Sequence, residues 1–278
     1  MQKELEKLLD PTKKSAKMFS SAYFPTKKTE SWIYTNPSLI FSNISEVAEE
    51  KISSINNQSE FKYKMTFING RYQAEASNLP NGVTIEKERS GDHSNEALTF
   101  FNSNLDEATY LFQSASKFSY KINILESTII DSPIAIEKIS SCTKSSQLIP
   151  NLLYINCEKD SKLTVIEIIK SEQEYNNLTS DLTKIYCAEN SNIEFVRFIP
   201  ADFKERYLGT LHTHLNKNAR INSLVVTLGS NISRHQLYAD MVKKNATANY
   251  HGLFSLSENQ HCDNFSIINH LAPQTNSS

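Results

Sequence analysis

Three stretches of this 278-residue chain decide its fold: AENSNIEF at 188–195, NKNARIN at 216–222 and KKNATAN at 243–249. Each sets an asparagine (Asn190, Asn218, Asn245) at a small polar corner just before the next strand-like run. Asparagine tolerates the left-handed backbone region and can hydrogen-bond to an equivalent amide in the next turn. Stacked corners of a parallel β-helix use both properties.

Outward from these corners, the chain after Ser119 reads as strand after strand. The runs are YKINILE (from Tyr120), IAIEKI (Ile134), LLYINCE (Leu152), LTVIEII (Leu163), LTKIYCA (Leu182) and NIEFVRF (Asn192). They continue with YLGTLHTHL (Tyr207), ARINSLVV (Ala219), RHQLYAD (Arg234), ATANYHGLF (Ala246) and NFSIINH (Asn264). This rhythm is compatible with a sandwich, a barrel or a solenoid. Only six glycines occur, and no Asn-Gly or Asp-Gly pair follows Gly82. A sandwich built on primed hairpin turns would need such pairs, so the parallel β-helix is favoured.

Upstream the pattern is helical and polar. Glu4, Leu5, Leu8 and Leu9 recur at helical spacing until Asp10-Pro11, and a second short helix is expected over about 13–22, with Ala16 and Phe19 on one side. Ile44, Val47, Ala48, Ile52 and Ile55 predict an amphipathic helix over 42–55. FKYKMTFING at 61–70 alternates as a half-buried strand, and Asn69-Gly70 turns it into a hairpin with 71–73. Residues 86–96 read as a loop, and 97–112 as one broken helix. The organisation expected is a largely helical N-terminal domain with a β-hairpin over 1–115, then a β-helix core over 116–278.

Lys and Arg total 29 against 31 Asp and Glu, a formal charge of −2. That balance argues against a dedicated nucleic-acid binder, which needs clustered cationic surplus. No eighteen-residue apolar run could span a membrane, and the charged N-terminus lacks a secretory h-region. The expected compartment is therefore the cytoplasm, with no membrane partner. Cys142, Cys157, Cys187 and Cys262 form no C-x-x-C pair and read as reduced, mostly buried thiols. No glycine-rich phosphate loop is present, which excludes ATP binding through a P-loop.

Two histidine groupings are candidate metal ligands. His212 and His214 share one face of a strand, and His261 and Asp263 repeat the same spacing. Two ligands do not complete a site, and hydrogen-bonded strand histidines are the plainer reading. Arg234 could bind an anion, but a structural ion pair at a strand start explains it more simply. Trp32, the single tryptophan, is expected to pin the N-terminal helices onto the β domain.

A family resemblance runs through these residues from about position 20 to the last. Pro25, Thr26, Glu30, Trp32, Tyr34 and Thr35 match in order the P-T-x-x-x-E-x-W-x-Y-T segment of SufD proteins. Phe67, Asn69 and Gly70, with Leu79-Pro80 and Gly82-Val83, are similar to their F-V-N-G … L-P-x-G-V segment. Gly229, Arg234, Gly252, His261, Asp263 and His270, with Pro273 and Ser277, resemble the core motif shared by the SufB/SufD family of the SUF iron–sulfur cluster assembly machinery.

The resemblance implies a right-handed parallel β-helix behind a small helical domain. It implies a non-catalytic scaffold acting with SufB-like and SufC-like subunits, the latter an ATPase, in cluster assembly and iron acquisition. The cluster would be assembled on the complex, with no cofactor held by this chain alone; a homodimer is a further expectation. The family continues past the His…Pro…Ser motif with more strands and a helical ATPase-docking domain, so a chain truncated at its C-terminus is expected. A β-helix enzyme acting on polysaccharide is the alternative, which would need paired carboxylates on one strand face. None stands out after Ser119.

Overall fold

The structure is a computed structural model that describes residues 1–49, 60–89, 107–172, 175–257 and 259–278. Its N-terminal portion contains helices α1 (Gln2–Leu5), α2 (Lys14–Ser21) and α3 (Pro37–Phe41), then strands β1 (Glu46–Val47), β2 (Tyr63–Ile68), β3 (Arg71–Tyr72) and β4 (Val83–Arg89), and helix α4 (Glu107–Ala115). Twelve strands follow. Those of sheet A are β5 (Phe118–Ile124), β7 (Gln147–Cys157), β9 (Leu178–Cys187), β11 (Arg206–Leu215), β13 (Ile232–Met241) and β15 (His261–His270). Those of sheet B are β6 (Ile134–Ser140), β8 (Lys162–Ser171), β10 (Asn192–Ile199), β12 (Arg220–Thr227), β14 (Thr247–Phe254) and β16 (Asn276–Ser277).

Within this core each strand pairs in parallel with the strand two places on in the chain, never with its immediate successor. That connectivity is a parallel β-solenoid of about five turns, as the asparagine corners predict. The corners stack as anticipated. Asp160, Asn190, Asn218, Asn245 and Gln274 all hold positive φ, between 56° and 61°. Asn190 Nδ2 donates to Asp160 Oδ1 at 2.7 Å, Asn218 to Asn190 at 2.9 Å and Asn245 to Asn218 at 3.0 Å, across separations of 30, 28 and 27 residues. A second ladder, Glu194–Asn222–Asn249, runs up the outside of sheet B.

Inside, the in-register columns are apolar. Ile122, Ile155 and Ile185 stack on one wall and Leu163, Ile193, Ile221 and Ala248 on the other. Burial of each isoleucine or leucine in these columns stabilises the fold by about 1.5–3 kcal/mol. All four cysteines are thiols: Cys157 and Cys187 face each other in adjacent turns, Cys142 is also buried and Cys262 is half-buried. Burial pushes the Cys187 thiol up to about 12.

The two sheets differ on the outside. Sheet B strands alternate buried and half-exposed residues, whereas β7, β9 and β11 are buried on both faces. The N-terminal helices explain this. Phe19, Trp32, Phe41, Leu111 and Phe112 pack against the outward Leu148, Leu152, Leu178, Leu182 and Leu208. A strand covered on both sides reads as a nearly continuous apolar run. Arg206 fastens the cover, donating through Nη1 to the carbonyls of Ile40 and Ser42 at the end of α3.

The structure corrects several sequence expectations. The helix over 42–55 does not form where described. Asn43 takes a left-handed conformation (φ 56°), and Glu46–Val47 pair in parallel with Gln147 and Leu148. A strand partner far along the chain overrides the local helical spacing, and 50–59 lie outside the described residues. The loop over 86–96 begins as strand instead: β4 runs antiparallel to β5 as far as Arg89. Of the helix expected over 97–112, only the part from Glu107 is described, and it extends to Ala115.

The Asn69-Gly70 hairpin forms with positive φ at both positions, and β2 also pairs in parallel with β6. This strand, expected to be half-buried, is buried from Lys64 to Ile68. Strands β2 and β3 thus extend sheet B, and β4 extends sheet A, into the N-terminal portion.

Asn218→Val should lower stability by about 2–3 kcal/mol, since a β-branched residue is forced to positive φ and two amide contacts go. Asn218→Gly should lower it by only about 1 kcal/mol, as the backbone geometry survives. Urea unfolding of both variants measures this; a Val variant as stable as the parent would refute the ladder's role.

Candidate functional site

Motif residues 226 positions apart meet on the outer edge of sheet A. Trp32 sits in a short 3₁₀ turn (Glu30–Trp32), fully buried, with the Arg234 guanidinium 4.2 Å from the centroid of its ring. Strand register sets Arg234 of β13 directly beside Asp263 of β15, and the two form an ion pair through Nη1. Arg234 Nη2 donates to the Ser31 carbonyl. Thr35 donates its one hydroxyl proton to Asp263 Oδ2 at 2.6 Å, so His261 Nε2–H, 2.9 Å away, donates to Thr35. A cation stacked on indole and held by a carboxylate is among the stronger ways to seat a buried Arg. Trp32 therefore pins the N-terminal segment as expected, and Arg234 is structurally paired.

The other motif residues do not join this cluster. Pro25 is buried, while Glu30 and Tyr34 are exposed. At Gly229 an added Cβ would collide with the Pro200 carbonyl, whereas at Gly252 it would make only ordinary van der Waals contact with the Asn264 side chain. Gly70 belongs to the hairpin turn. His270 ends β15, about 30 Å from His261, and interacts with Thr275 (2.8 Å) and Ser277 (3.1 Å).

The candidate metal ligands do not converge. His212 and His214 do share the outward face of β11, but six residues along the strand from the level of His261, about 20 Å. His212 Nε2 lies 2.8 Å from Asp240 Oδ2, and His214 stacks on Tyr186 with ring centroids 5.4 Å apart. Burial pushes His212 down and His214 down to about 4. Burial works to raise Asp240, but hydrogen bonds from His212 and Asn269 hold it below its usual value. Between Tyr154 and His212 in the ladder stands Lys184, whose amine burial pushes down to about 7. Among the described residues no group of three or more His, Cys, Asp or Glu is placed to hold a metal ion.

A further cluster, inside the solenoid, escapes the motif reading. Glu167 accepts from Lys138 Nζ at 2.7 Å, Thr183 at 2.7 Å and Arg197 Nε at 2.8 Å. Asp181 lies 3.5 Å from Lys138 and accepts from the Tyr207 hydroxyl at 2.7 Å. His235 continues the file, 3.0 Å from Thr227 Oγ1. Gly209 makes room for it: a Cβ there would strike Tyr207 and the Arg197 guanidinium. Burial opposes ionisation of Glu167, yet the charges of Arg197 and Lys138 hold it at about 2. Burial, then the charge of Arg197, pushes His235 down to about 3. Strand parity could have found these residues, because in LTVIEII the inward series is Leu163, Val165, Glu167, Ile169.

Stacked parallel turns, sealed inside by ion pairs and outside by a Trp–Arg clasp, define a β-solenoid protein. The family profile described as SUF system FeS cluster assembly, SufBD core domain, matches residues 140–278. An iron-sulfur cluster assembly SufBD family protein of Synechocystis is 23% identical over 297 residues, covering 97% of this chain and 65% of its own length. The chain belongs to the SufBD core family of the SUF system. It spans about two-thirds of the curated relative. Among the described residues no helix is long and apolar enough to cross a membrane.

Arg234→Ala should cost about 3–5 kcal/mol, because Asp263 and the Ser31 carbonyl lose their buried partner. Limited proteolysis should then cut the N-terminal segment sooner than in the parent; unchanged cleavage and melting would contradict the clasp.

Glu167 and His235 both bind protons more weakly folded than unfolded, where their values are 4.5 and 6.5. Their stabilisation is complete above those values and falls as pH drops toward 2 and 3 respectively, by about 1.4 kcal/mol per pH unit for each group. His235→Gln should flatten the slope between pH 6.5 and 4.5 by about that amount in urea unfolding. An unaltered slope would show that His235 is not the group responsible.

Proposed function

We propose that this chain is a SufD-like, non-catalytic scaffold subunit of a cytoplasmic SUF complex. It works with a SufB-like subunit and a SufC-like ATPase in cluster assembly and iron acquisition. The cluster and its iron are cargo of the complex, and this chain alone holds no cofactor.

One observation carries the reading: the SufBD core match coincides with turns whose polar groups are engaged in holding the turns together. Glu167, Asp181, Arg197 and Arg234 have the chemistry of an active site but are occupied by one another or by backbone. Such residues give rigidity and a fixed outer surface. A rigid wall that holds partners in register is what a scaffold needs, and sheet-borne positions are more exact than loops for that task.

The test is co-expression of the full chain with SufB-like and SufC-like subunits, with affinity capture on this chain and cluster formation followed by its visible absorbance. Capture of both subunits, and slower cluster formation when this chain is omitted, is expected. Capture of neither would overturn the scaffold reading.

A further inference from the structure

The Asn69-Gly70 turn is held by more than the ladder bonds that a two-residue hairpin needs. Asn69 Nδ2 donates to the carbonyls of Glu49 at 3.0 Å and Ser141 at 2.8 Å, and its Oδ1 accepts from the Ser141 amide at 2.9 Å. Gly70 lies so close to β7 that an added Cβ would collide with the Pro150 carbonyl. The turn is thereby fixed beside the end of β1 and the middle of β7. Together with Ser116 and Lys117, which link α4 to β5, these segments line a cavity of about 450 Å³. That volume is typical of small-molecule sites.

Arg71 follows the turn directly and lines the same cavity. Its guanidinium lies 4.0 Å from the centroid of the Phe118 ring, and Lys87 Nζ lies 3.9 Å from that centroid. Arg71 Nη1 is buried without a hydrogen-bond partner. No carboxylate pairs with Arg71 among the described residues, nor with Lys117, which is exposed. Glu49 also lines the cavity, but it is exposed and its charge acts on Lys144 as well. Two cations thus face one carboxylate. A charge partly withdrawn from water and left uncompensated is costly, and in a folded protein such a group calls for a ligand or ion.

We propose that this cavity binds a small oxyanion-bearing molecule, a phosphate ester or a carboxylate. The oxyanion lies against Arg71 and Lys117, and a short neutral body lies against Val47, Ala48 and Pro150. The planar fork of arginine and the point charge of lysine are both suited to oxyanions. Arg71 as a whole is only half-buried, so the anion compensates its charge without touching Nη1. A cationic ligand would be repelled by the pair, and a neutral one would leave both charges as they are. Asn69 and Gly70 are positioning residues, since they fix the turn that carries Arg71. The inference stands apart from the scaffold reading, because it concerns neither the cluster nor its iron.

The experiment is calorimetric titration of the full chain, in phosphate-free low-salt buffer at neutral pH, with butyl phosphate, inorganic phosphate, butyrate and butylammonium. Single-site binding of butyl phosphate is expected, with a Kd of about 10–100 μM, weaker binding of inorganic phosphate and none of butylammonium. Arg71→Gln should weaken butyl phosphate binding about tenfold and Lys117→Gln about fivefold, with unchanged circular dichroism. Should Arg71→Gln fail to fold, the exposed Lys117 variant decides. Butyrate bound as tightly as butyl phosphate would uphold the site and mark its ligand as a carboxylate. No binding of any of the three anions at about 10 mM would overturn the proposal. So would binding that both substitutions leave intact, which would belong to another surface.

Discussion

Every turn of this solenoid must return the chain to the same lateral position, and one backbone constraint makes that possible. A residue in the left-handed region stands at the same corner of successive turns, at Asp160, Asn190, Asn218, Asn245 and Gln274. Ordinary L-residues pay strain there, and asparagine less than most. The amide ladder converts that requirement into a link between turns. Once the corners are superposed, the strands between them have no choice of register, and the apolar columns inside follow.

Register also explains where the charges sit. A strand inside a solenoid has one lumen-facing and one outward-facing series, so a polar residue at inward parity is buried whatever its chemistry. Lys138, Glu167, Asp181 and Arg197 are such residues, and they balance as two cations against two anions. Removing one member would strand the others, so the network demands a single arrangement rather than adding much net stability. On the outside of sheet A, Arg234 plays a similar part between Trp32 and Asp263. It ties the first thirty-odd residues to the last full strand.

The two outer faces consequently have different destinies. Sheet A is taken up by the N-terminal helices, while sheet B keeps a half-exposed outer face. In this SufBD-family chain the buried ionisable groups hold turns together through ion pairs and hydrogen bonds. Its outward surfaces, more than its buried ionisable groups, are where interaction with other chains is to be sought.

Local sequence carries local decisions. The asparagine corners, the alternation of the strands, the Asn69-Gly70 turn and the stops at Pro11 and Pro25 were legible because each rests on the backbone preferences of a few neighbouring residues. Strand parity could have placed Glu167 on the inward face, but the motif reading passes over it. The helical spacing of Ile44, Val47 and Ala48 misled, because a pairing with Gln147 and Leu148, a hundred residues on, outweighs local periodicity. Only the tertiary structure could bring Thr35 to His261, or Arg234 to Trp32, and separate His212 from His261. Those distances depend on how many turns intervene and which face each turn presents, a sum over the whole winding that no short window contains.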